Sequence, residues 1–142
     1  PLRILVAEDN RVNQMVIRSM LDRLGHDAMV TANGEEAANA ATLRHAEWDV
    51  VLMDCEMPVM DGFAASREIR RFEAERSLEP LRIVALTAHA TDAWVDRCLD
   101  SGMQAHLAKP VQLQELVTTL SGHQVPPARV RSDQSIRPPR PV

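Results

Sequence analysis

Long apolar runs, a secretion signal and cysteine pairs are missing from this sequence of 142 residues. No apolar stretch approaches the roughly 20 residues that a membrane-spanning helix needs. The chain starts at Pro1 and lacks a basic segment followed by apolar residues, so we expect a piece of a longer protein without a signal peptide. The two cysteines, Cys55 and Cys98, lie 43 positions apart with no Cys-x-x-Cys motif. This pattern excludes a disulfide-rich secreted domain and predicts a soluble domain in a reduced, cytoplasmic setting.

Positive charge is scarce in the main part of the chain. The net charge is −4, yet residues 123–142 contain four arginines against one aspartate, so residues 1–122 carry −7. Duplex nucleic acids are bound by clustered lysine and arginine, so we expect no nucleic-acid partner. The final segment is rich in proline and has only isolated apolar residues. It therefore predicts one domain over residues 1–122, followed by a disordered or extended tail over residues 123–142.

Five short apolar runs alternate with stretches of helical periodicity. Such alternation predicts repeated βαβ units, and therefore a doubly wound α/β domain with a parallel sheet in a (βα)5 order. Three of the runs are almost purely apolar, which is typical of central strands covered on both faces. The predicted strands are Arg3–Ala7, Ala28–Thr31, Asp49–Met53, Arg82–Leu86 and Ala105–Ala108.

The helical stretches carry start and stop signals. Asn33 and Glu36 form a capping box, in which each side chain is expected to bond the backbone N–H of the other. In the first helix, one face at helical spacing carries Val12, Met15, Val16, Met20 and Leu24. Further helices are predicted from Asp61-Gly62, from about Thr91 to Asp100, and over a stripe beginning at Leu113 and stopping at Gly122.

Polar and charged side chains follow the predicted strands at one edge of the sheet. In an open parallel sheet, ligands bind beyond the carboxyl ends of the strands, near the point where the strand order reverses. Crowded carboxylates favour a bound cation, and Mg²⁺ prefers oxygen ligands, so Asp9 and Asp54 are predicted as direct ligands, with Glu8 acting through water. The residues at these strand ends are Glu8-Asp9, Asp54, Thr87-Ala88 and Lys109-Pro110.

An aspartate beside a metal ion and a fixed ammonium group is suited to attack phosphorus. Asp54 is the predicted nucleophile, and Lys109 and Thr87 are predicted to contact the phosphoryl oxygens. The backbone N–H groups of Glu56 and Ala88 are additional candidate donors. Lys109 is the only lysine beside fifteen arginines, which favours a requirement for a compact charge at this position.

In order and position, these motifs resemble the phospho-accepting receiver domains of two-component signalling. The resemblance extends over residues 2–121 and implies a flavodoxin-like, five-stranded parallel sheet of order 2-1-3-4-5. The matching segments are Ile4–Asn10, Val51–Asp54, Met57-Pro58, Met60–Gly62, Ile83–Ala88, Gly102 and Lys109-Pro110.

The resemblance also assigns roles to single residues, with Asp54 as the phosphorylation site and Thr87 as the switch hydroxyl. The implied ligands of Mg²⁺ or Mn²⁺ are Glu8, Asp9, Asp54 and the backbone carbonyl of Glu56. The implied phosphate-binding groups are Thr87, Ala88, Lys109 and the Glu56 N–H. The Lys109-Pro110 bond is expected to be a cis peptide.

One position departs from the family pattern. His106 stands where relatives usually carry tyrosine or phenylalanine as part of the switch. It is interpreted either as a polar surface residue or as a pH-sensitive switch element, since histidine titrates near neutrality. By resemblance, Glu56 and His89 occupy positions that tune the lifetime of the phosphate.

Two segments, Asp54–Gly62 and Ala85–Ala90, are similar to receivers attached to hybrid sensor histidine kinases. The resemblance implies that the domain takes a phosphoryl group from a phosphohistidine, then changes shape or passes the phosphate to a histidine phosphotransfer domain. The expected partners are that domain or a histidine kinase domain. The parent kinase is expected in the inner membrane, with no membrane contact by this chain and a monomer or weak dimer in solution. The domain itself is expected to catalyse its own Mg²⁺-dependent phosphorylation and dephosphorylation.

One alternative function stays open, an interaction or inhibitory module that acts on a partner kinase independently of phosphorylation. A phosphatase with an aspartyl intermediate is disfavoured because the run from Asp54 to Pro58 lacks the Asp-x-Asp-x-Thr pattern. Among the remaining side chains, Cys55 and Cys98 are expected in the core and Trp94 half-buried on the fourth helix. The histidines expected at the surface are His26, His45 and His123.

Overall fold

Five strands and five α-helices alternate along the part of the chain that the structure describes, as the apolar pattern predicts. The computed structural model describes residues 1–89 and 91–123. A short 3-10 helix over His45–Glu47 was not predicted. The strands are β1 (Arg3–Ala7), β2 (Asp27–Thr31), β3 (Val50–Asp54), β4 (Arg82–Thr87) and β5 (Ala105–Ala108). The helices are α1 (Arg11–Arg23), α2 (Gly34–Leu43), α3 (Gly62–Arg76), α4 (Asp92–Asp100) and α5 (Leu113–His123).

The strands form one parallel sheet of order β2-β1-β3-β4-β5, so the predicted flavodoxin-like fold is confirmed. The strand order reverses between β1 and β3, where Ala7 lies opposite Met53. The residues that follow these two positions, Glu8 and Asp54, therefore emerge side by side at the carboxyl edge. All five residues of β3 are buried, as expected of the central strand.

The core consists of two layers, one on each face of the sheet, because neighbouring side chains of a strand point to opposite faces. On one face, Ile4 and Val6 pack in a cluster with residues of α1 and α5. On the other face, Leu5 and Ala7 pack in a cluster with residues of α2, α3 and α4. Burial of a leucine or isoleucine side chain in either layer contributes about 1.5–3 kcal/mol to the free energy of unfolding.

The buried face of α1 differs from the predicted apolar stripe. The residues of α1 that are buried are Ile17 and Leu21. Val12, Met15 and Val16 are 66%, 69% and 44% exposed, whereas the other two members of the stripe, Met20 and Leu24, pack partly against the core. The N-terminal half of α1 therefore presents apolar side chains to solvent.

Side-chain caps fix the starts of α2 and α3. The Glu36 backbone N–H donates to the side chain of Asn33 over 2.9 Å, as the capping box predicts. The return bond differs, because the Glu36 carboxylate accepts from the backbone N–H of Ala32 rather than from that of Asn33. Asp61 caps α3 by accepting from the Ala64 N–H at 2.8 Å. These caps supply partners for backbone donors that the first helical turn leaves free.

The last described helix ends at His123, one residue beyond the predicted stop at Gly122. The rest of the predicted tail, residues 124–142, lies outside the described residues. Within residues 1–89 and 91–123, no helix combines the length and the apolar character needed to cross a bilayer.

Candidate functional site

Three carboxylates meet at the carboxyl edge of the sheet. Glu8 and Asp9 directly follow β1, and Asp54 is the last residue of β3. One oxygen from each of the three side chains lies within 4.8 Å of the others. Glu8 and Asp54 are buried, at 0% and 2% exposure, whereas Asp9 is exposed. The predicted cluster is therefore present, with one side open to solvent.

Crowding at this edge changes the acidity of Asp54. Burial raises the pKa of Asp54 to about 6, and the charge of Glu8 adds to the rise. Hydrogen bonds from the Lys109 ammonium group and from the Glu56 N–H act in the opposite direction. A carboxylate with this pKa is mostly ionised at pH 7, but its ionised form is held at a cost in free energy.

Lys109 supplies the positive charge that faces the cluster. Its Nζ lies 3.1 Å from Asp54 Oδ2 and 3.5 Å from Glu8 Oε1. Burial alone would lower the pKa of Lys109, but the hydrogen bond and charge of Asp54, followed by the charge of Glu8, raise it above the usual value. The Lys109 backbone N–H donates to the Thr87 carbonyl at 2.8 Å, which holds Lys109 beside the end of β4. The Lys109–Pro110 peptide is cis, as predicted.

One oxygen of Glu8 is left without a hydrogen-bond donor. Glu8 Oε2 accepts from the Asn10 backbone N–H at 3.0 Å, but Glu8 Oε1 is buried with no such donor among the described residues. The Lys109 ammonium at 3.5 Å compensates its charge only in part. A buried, unbonded carboxylate oxygen next to two further carboxylates fits a hard divalent cation, which binds oxygen ligands and retains water. Glu8, Asp9 and Asp54 are the side chains that would hold it.

Thr87 and the predicted loop donors lie at the same edge of the sheet as the carboxylates. The Glu56 N–H donates to Asp54 Oδ1 at 3.2 Å, so this predicted backbone donor does face the carboxylate. The Thr87 hydroxyl instead bonds within its own loop, donating to the His89 carbonyl at 3.0 Å and accepting from the His89 N–H at 2.9 Å. Ala88 lies between them and is exposed. The hydrogen of the Thr87 hydroxyl is thus donated to the His89 carbonyl.

The loop after β3 is held closely against the site. The Gly62 N–H donates to the Cys55 carbonyl at 3.0 Å, and a Cβ at Gly62 would collide with the backbone of Asp54. Glycine is therefore required at this position because of the close approach of two backbones. The Asp61-Gly62 pair thus both starts α3 and sets the backbone around Asp54.

Glu56, His89 and Trp94 lie at the rim of the site. Glu56 Oε1 is 3.4 Å from His89 Nε2, and the His89 ring packs on Trp94 with centroids 4.4 Å apart. Trp94 is half-buried, as predicted. His106 is exposed on β5, which agrees with its interpretation as a polar surface residue, and its role as a pH-sensitive element stays a prediction.

Two parts of the molecule were not anticipated from the sequence. His45 is only 11% exposed, so its prediction as a surface residue is wrong. His45 Nε2 lies 2.7 Å from the buried Glu73 carboxylate, which also accepts from Arg70 and the Leu81 N–H.

His26 is half-buried, and its Nδ1 accepts from the Leu2 N–H, whereas the His123 side chain lies outside the described residues. Cys55 and Cys98 are both buried in the core, as predicted, but their direct contact was not foreseen.

Comparison with known proteins agrees with this arrangement. The response regulator receiver domain family matches residues 4–121. Hybrid signal transduction histidine kinase A of Dictyostelium discoideum is 36% identical over 119 residues, which cover 84% of this chain and only 6% of that protein. The chain thus spans a small part of this curated relative.

Solved structures show the same fold. A receiver domain of a Pseudomonas aeruginosa sensor histidine kinase, with magnesium coordinated in its active-site cleft, has a TM-score of 0.76 and 42% identity, covering 85% of this chain and 95% of that one. The receiver of Saccharomyces cerevisiae Ssk1, solved with the histidine phosphotransfer protein Ypd1, has a TM-score of 0.79 and 31% identity, covering 84% and 86% of the two chains. The sequence match, the sheet order and the placement of the acidic residues agree, and this chain belongs to the response regulator receiver domain family of two-component signalling, related to the receivers of hybrid histidine kinases.

Proposed function

We propose that Asp54 accepts a phosphoryl group from a phosphohistidine of a histidine kinase or a histidine phosphotransfer domain. The observation that carries this proposal is a buried carboxylate with Lys109 Nζ 3.1 Å away, in a cluster that also contains Glu8 and Asp9. The proposed ligands of Mg²⁺, or of Mn²⁺, are Glu8, Asp9, Asp54 and the Glu56 carbonyl. Magnesium bound in this cluster would neutralise charge on the carboxylates and on the incoming phosphoryl oxygens.

The proposed reaction is a displacement at phosphorus. A carboxylate oxygen of Asp54 forms a bond to phosphorus while the phosphorus–nitrogen bond of the phosphohistidine breaks, and the electron pair returns to the imidazole. Lys109 stands beside Asp54 Oδ2, where it can hold a phosphoryl oxygen as negative charge spreads over the transferred group. The Glu56 and Ala88 N–H groups are proposed as further donors to these oxygens.

Phosphorylation is proposed to shift the conformation of the loop after β4. Thr87 is bonded to His89 in the structure described here, so a phosphoryl group on Asp54 offers its hydroxyl a competing acceptor. The acyl phosphate shifts the equilibrium only by its stronger contacts with Thr87 and Lys109 in one of two arrangements. Movement of Thr87 would carry the start of α4 with it.

The exposed apolar part of α1 is proposed as the docking surface for the histidine phosphotransfer domain. Val12, Met15 and Val16 lie in the first half of a helix that begins two residues after Asp9, so the patch borders the acidic cluster. Val59, 77% exposed in the loop after β3, adds apolar surface. A histidine phosphotransfer protein forms a complex with a related yeast receiver, which supports this choice of partner.

Labelling with acetyl phosphate tests the phosphorylation site. We expect Mg²⁺-dependent, acid-labile phosphate on the wild type and on Asp100→Asn, which changes an exposed carboxylate at the end of α4, but none on Asp54→Asn. Undiminished labelling of Asp54→Asn would refute the assignment. A kinase partner whose affinity is the same for wild type and Asp54→Asn would favour the phosphorylation-independent module instead.

A charge substitution on α1 tests the docking surface. Met15→Glu is expected to slow transfer from a phosphorylated histidine phosphotransfer domain and leave labelling by acetyl phosphate unchanged, because only the first reaction needs docking. Leu43→Glu is the matched control, since Leu43 is 82% exposed on α2. Equal transfer rates for Met15→Glu and the wild type would contradict this surface.

A further inference from the structure

Two thiols from distant parts of the chain are in contact beside the phosphate-accepting residue. Cys55 directly follows Asp54, Cys98 lies on α4, and their Sγ atoms are 3.7 Å apart. A disulfide bond requires about 2.05 Å, so the sulfurs would approach by about 1.7 Å. The sequence contains two cysteines in all, so no other thiol of this chain competes for either of them.

Cys98 anchors α4 to the core. It is the one residue of α4 that is buried, with Trp94 half-buried one turn earlier against Phe63. The Trp94 indole N–H is buried and has no hydrogen-bond acceptor among residues 1–89 and 91–123. The Cys98 thiol therefore joins α4 to Cys55, the residue after Asp54, and the Trp94 indole lies on the same helix.

We propose that Cys55 and Cys98 form a peroxide-sensitive dithiol whose disulfide fixes α4 in the arrangement described here and slows phosphoryl uptake at Asp54. The first half of this proposal concerns the thiols alone, and the second half rests on the proposed function of Asp54. Reversible cysteine pairs of this kind act as redox sensors in otherwise reducing compartments.

The oxidation balances with hydrogen peroxide as the oxidant. The Cys98 thiolate attacks one peroxide oxygen, the oxygen–oxygen bond breaks, and the departing hydroxide takes up a proton, which leaves a sulfenic acid and water. The Cys55 sulfur then attacks the Cys98 sulfur, its proton is lost, and the sulfenic oxygen departs as a second water. Two thiols and one peroxide thus give one disulfide and two waters.

Cys98 is the first thiol to react. Cys98 lies on α4 and moves with that helix when it opens, whereas Cys55 directly follows the central strand β3. Burial raises the pKa of Cys98, and the hydrogen bond with Cys55 and the charge of Arg97 oppose this rise. Both sulfurs are shielded in the closed structure, so peroxide reaches them when α4 opens locally. Oxidation is therefore expected to be slow on the closed domain and faster under conditions that loosen α4.

The disulfide acts on the conformation that phosphorylation is proposed to change. Thr87 is bonded to His89 in the present arrangement, and α4 begins soon after that loop. A covalent link from α4 to Cys55 keeps the helix in place and opposes the movement of Thr87. If uptake requires a minor conformer, making that conformer tenfold rarer slows uptake about tenfold.

Counting free thiols tests the chemical half of the proposal. The purified chain is treated with hydrogen peroxide, unfolded and alkylated with N-ethylmaleimide, and its peptides are mapped by mass spectrometry. We expect a monomer that takes up no alkylating reagent, a peptide with Cys55 joined to Cys98, and recovery of both thiols after reduction. Two reactive thiols after treatment, a disulfide-linked dimer, or sulfinic acid on a single sulfur would each overturn the proposal.

Alanine variants test the order of reaction. Cys55→Ala is expected to accumulate a sulfenic acid on Cys98 that dimedone traps, and Cys98→Ala is expected to resist oxidation of Cys55. If dimedone traps a sulfenic acid on Cys55 in Cys98→Ala as fast as on Cys98 in Cys55→Ala, the assignment of the attacking thiol is contradicted. If either variant folds poorly, the count of free thiols in the oxidised wild type still tests whether the disulfide forms.

Phosphoryl uptake from acetyl phosphate tests the conformational half. The oxidised wild type is expected to be labelled about tenfold more slowly than the reduced protein, with full recovery on reduction, whereas peroxide leaves the rate of Cys98→Ala unchanged. A disulfide that forms without slowing uptake refutes this half. Failure of the reduced wild type to be labelled would instead refute the proposed function, while the thiol count still decides the chemistry.

Discussion

Replacing Asp54 by asparagine is expected to stabilise the metal-free domain at neutral pH, although it removes the proposed phosphorylation site. Asp54 is buried beside the equally buried Glu8, and its pKa is raised to about 6, first by burial and then by the charge of Glu8. Ionising the side chain at pH 7 therefore costs more in the folded protein than in the unfolded chain. Asparagine has nearly the same shape and cannot ionise.

The magnitude follows from the difference between the two pKa values. A rise from 3.8 to about 6 corresponds to roughly 3 kcal/mol of unfolding free energy. Because the folded pKa is the higher one, this stability is present below the unfolded value and is lost as pH rises through about 6. We expect Asp54→Asn to be more stable than the wild type by about 1–3 kcal/mol at pH 7.5, and the difference to shrink by about 1.5 kcal/mol at pH 5.

Urea unfolding at several pH values in EDTA measures this effect. Asp9→Asn is the matched control, because Asp9 belongs to the same cluster but is exposed. Its stability is expected to stay close to that of the wild type in metal-free buffer. An Asp54→Asn variant no more stable than the wild type at pH 7.5, or a gap that does not narrow at pH 5, would show that burial of the Asp54 charge is not costly.

Three further outcomes are expected. Mg²⁺ at a hundred times its dissociation constant should stabilise the wild type by about 2.7 kcal/mol; the gain should fall in Asp9→Asn, and an equal gain there would remove Asp9 from the metal site. Thr87→Ala should still be labelled by acetyl phosphate but lose the labelling-induced change in Trp94 fluorescence, which Thr87→Ser retains; a full change in Thr87→Ala would contradict the switch. Glu73→Ala removes one acceptor of Arg70 and leaves the buried Leu81 backbone N–H without its partner, so it should lower the unfolding free energy by about 1–3 kcal/mol, and a loss under 1 kcal/mol would contradict the importance of that network.

Most of the sheet was predictable because a strand buried on both faces consists of a continuous apolar run that is visible in the sequence. The runs around Val51 and Ile83 are apolar on both faces, and such strands are covered by helices on both sides. Their carboxyl ends meet at one edge, so the convergence of Glu8, Asp54 and Lys109 followed from the order of the strands. The acidic site could therefore be located from the strand ends alone, without any knowledge of how the side chains pack.

The orientation of α1 was harder to predict because apolar residues occupy more than one face of this helix. Val12, Met15 and Val16 repeat at helical spacing as well as Ile17 and Leu21 do, but the second set faces the sheet. Periodicity shows that a stripe exists and does not show which stripe is covered. The exposed stripe is the one that we propose for docking.

The polar contacts within the fold depend on geometry that no local pattern specifies. His45 and Glu73 are 28 positions apart, and they meet because the segment before β3 lies against the end of α3. Cys55 and Cys98 are 43 positions apart, and only the packing of α4 brings the two sulfurs together. A single histidine, glutamate or cysteine in a sequence does not show whether its side chain lies at the surface or in the core.

Mapping the phosphorylated residue tests the central claim most directly. The reduced chain is incubated with acetyl phosphate and Mg²⁺, treated with borohydride to convert an acyl phosphate into a stable alcohol, and digested for mass spectrometry. The site geometry predicts homoserine at position 54 and at no other carboxylate, with none formed when Mg²⁺ is withheld. Homoserine at a different aspartate, or the same yield at position 54 in EDTA, would contradict it.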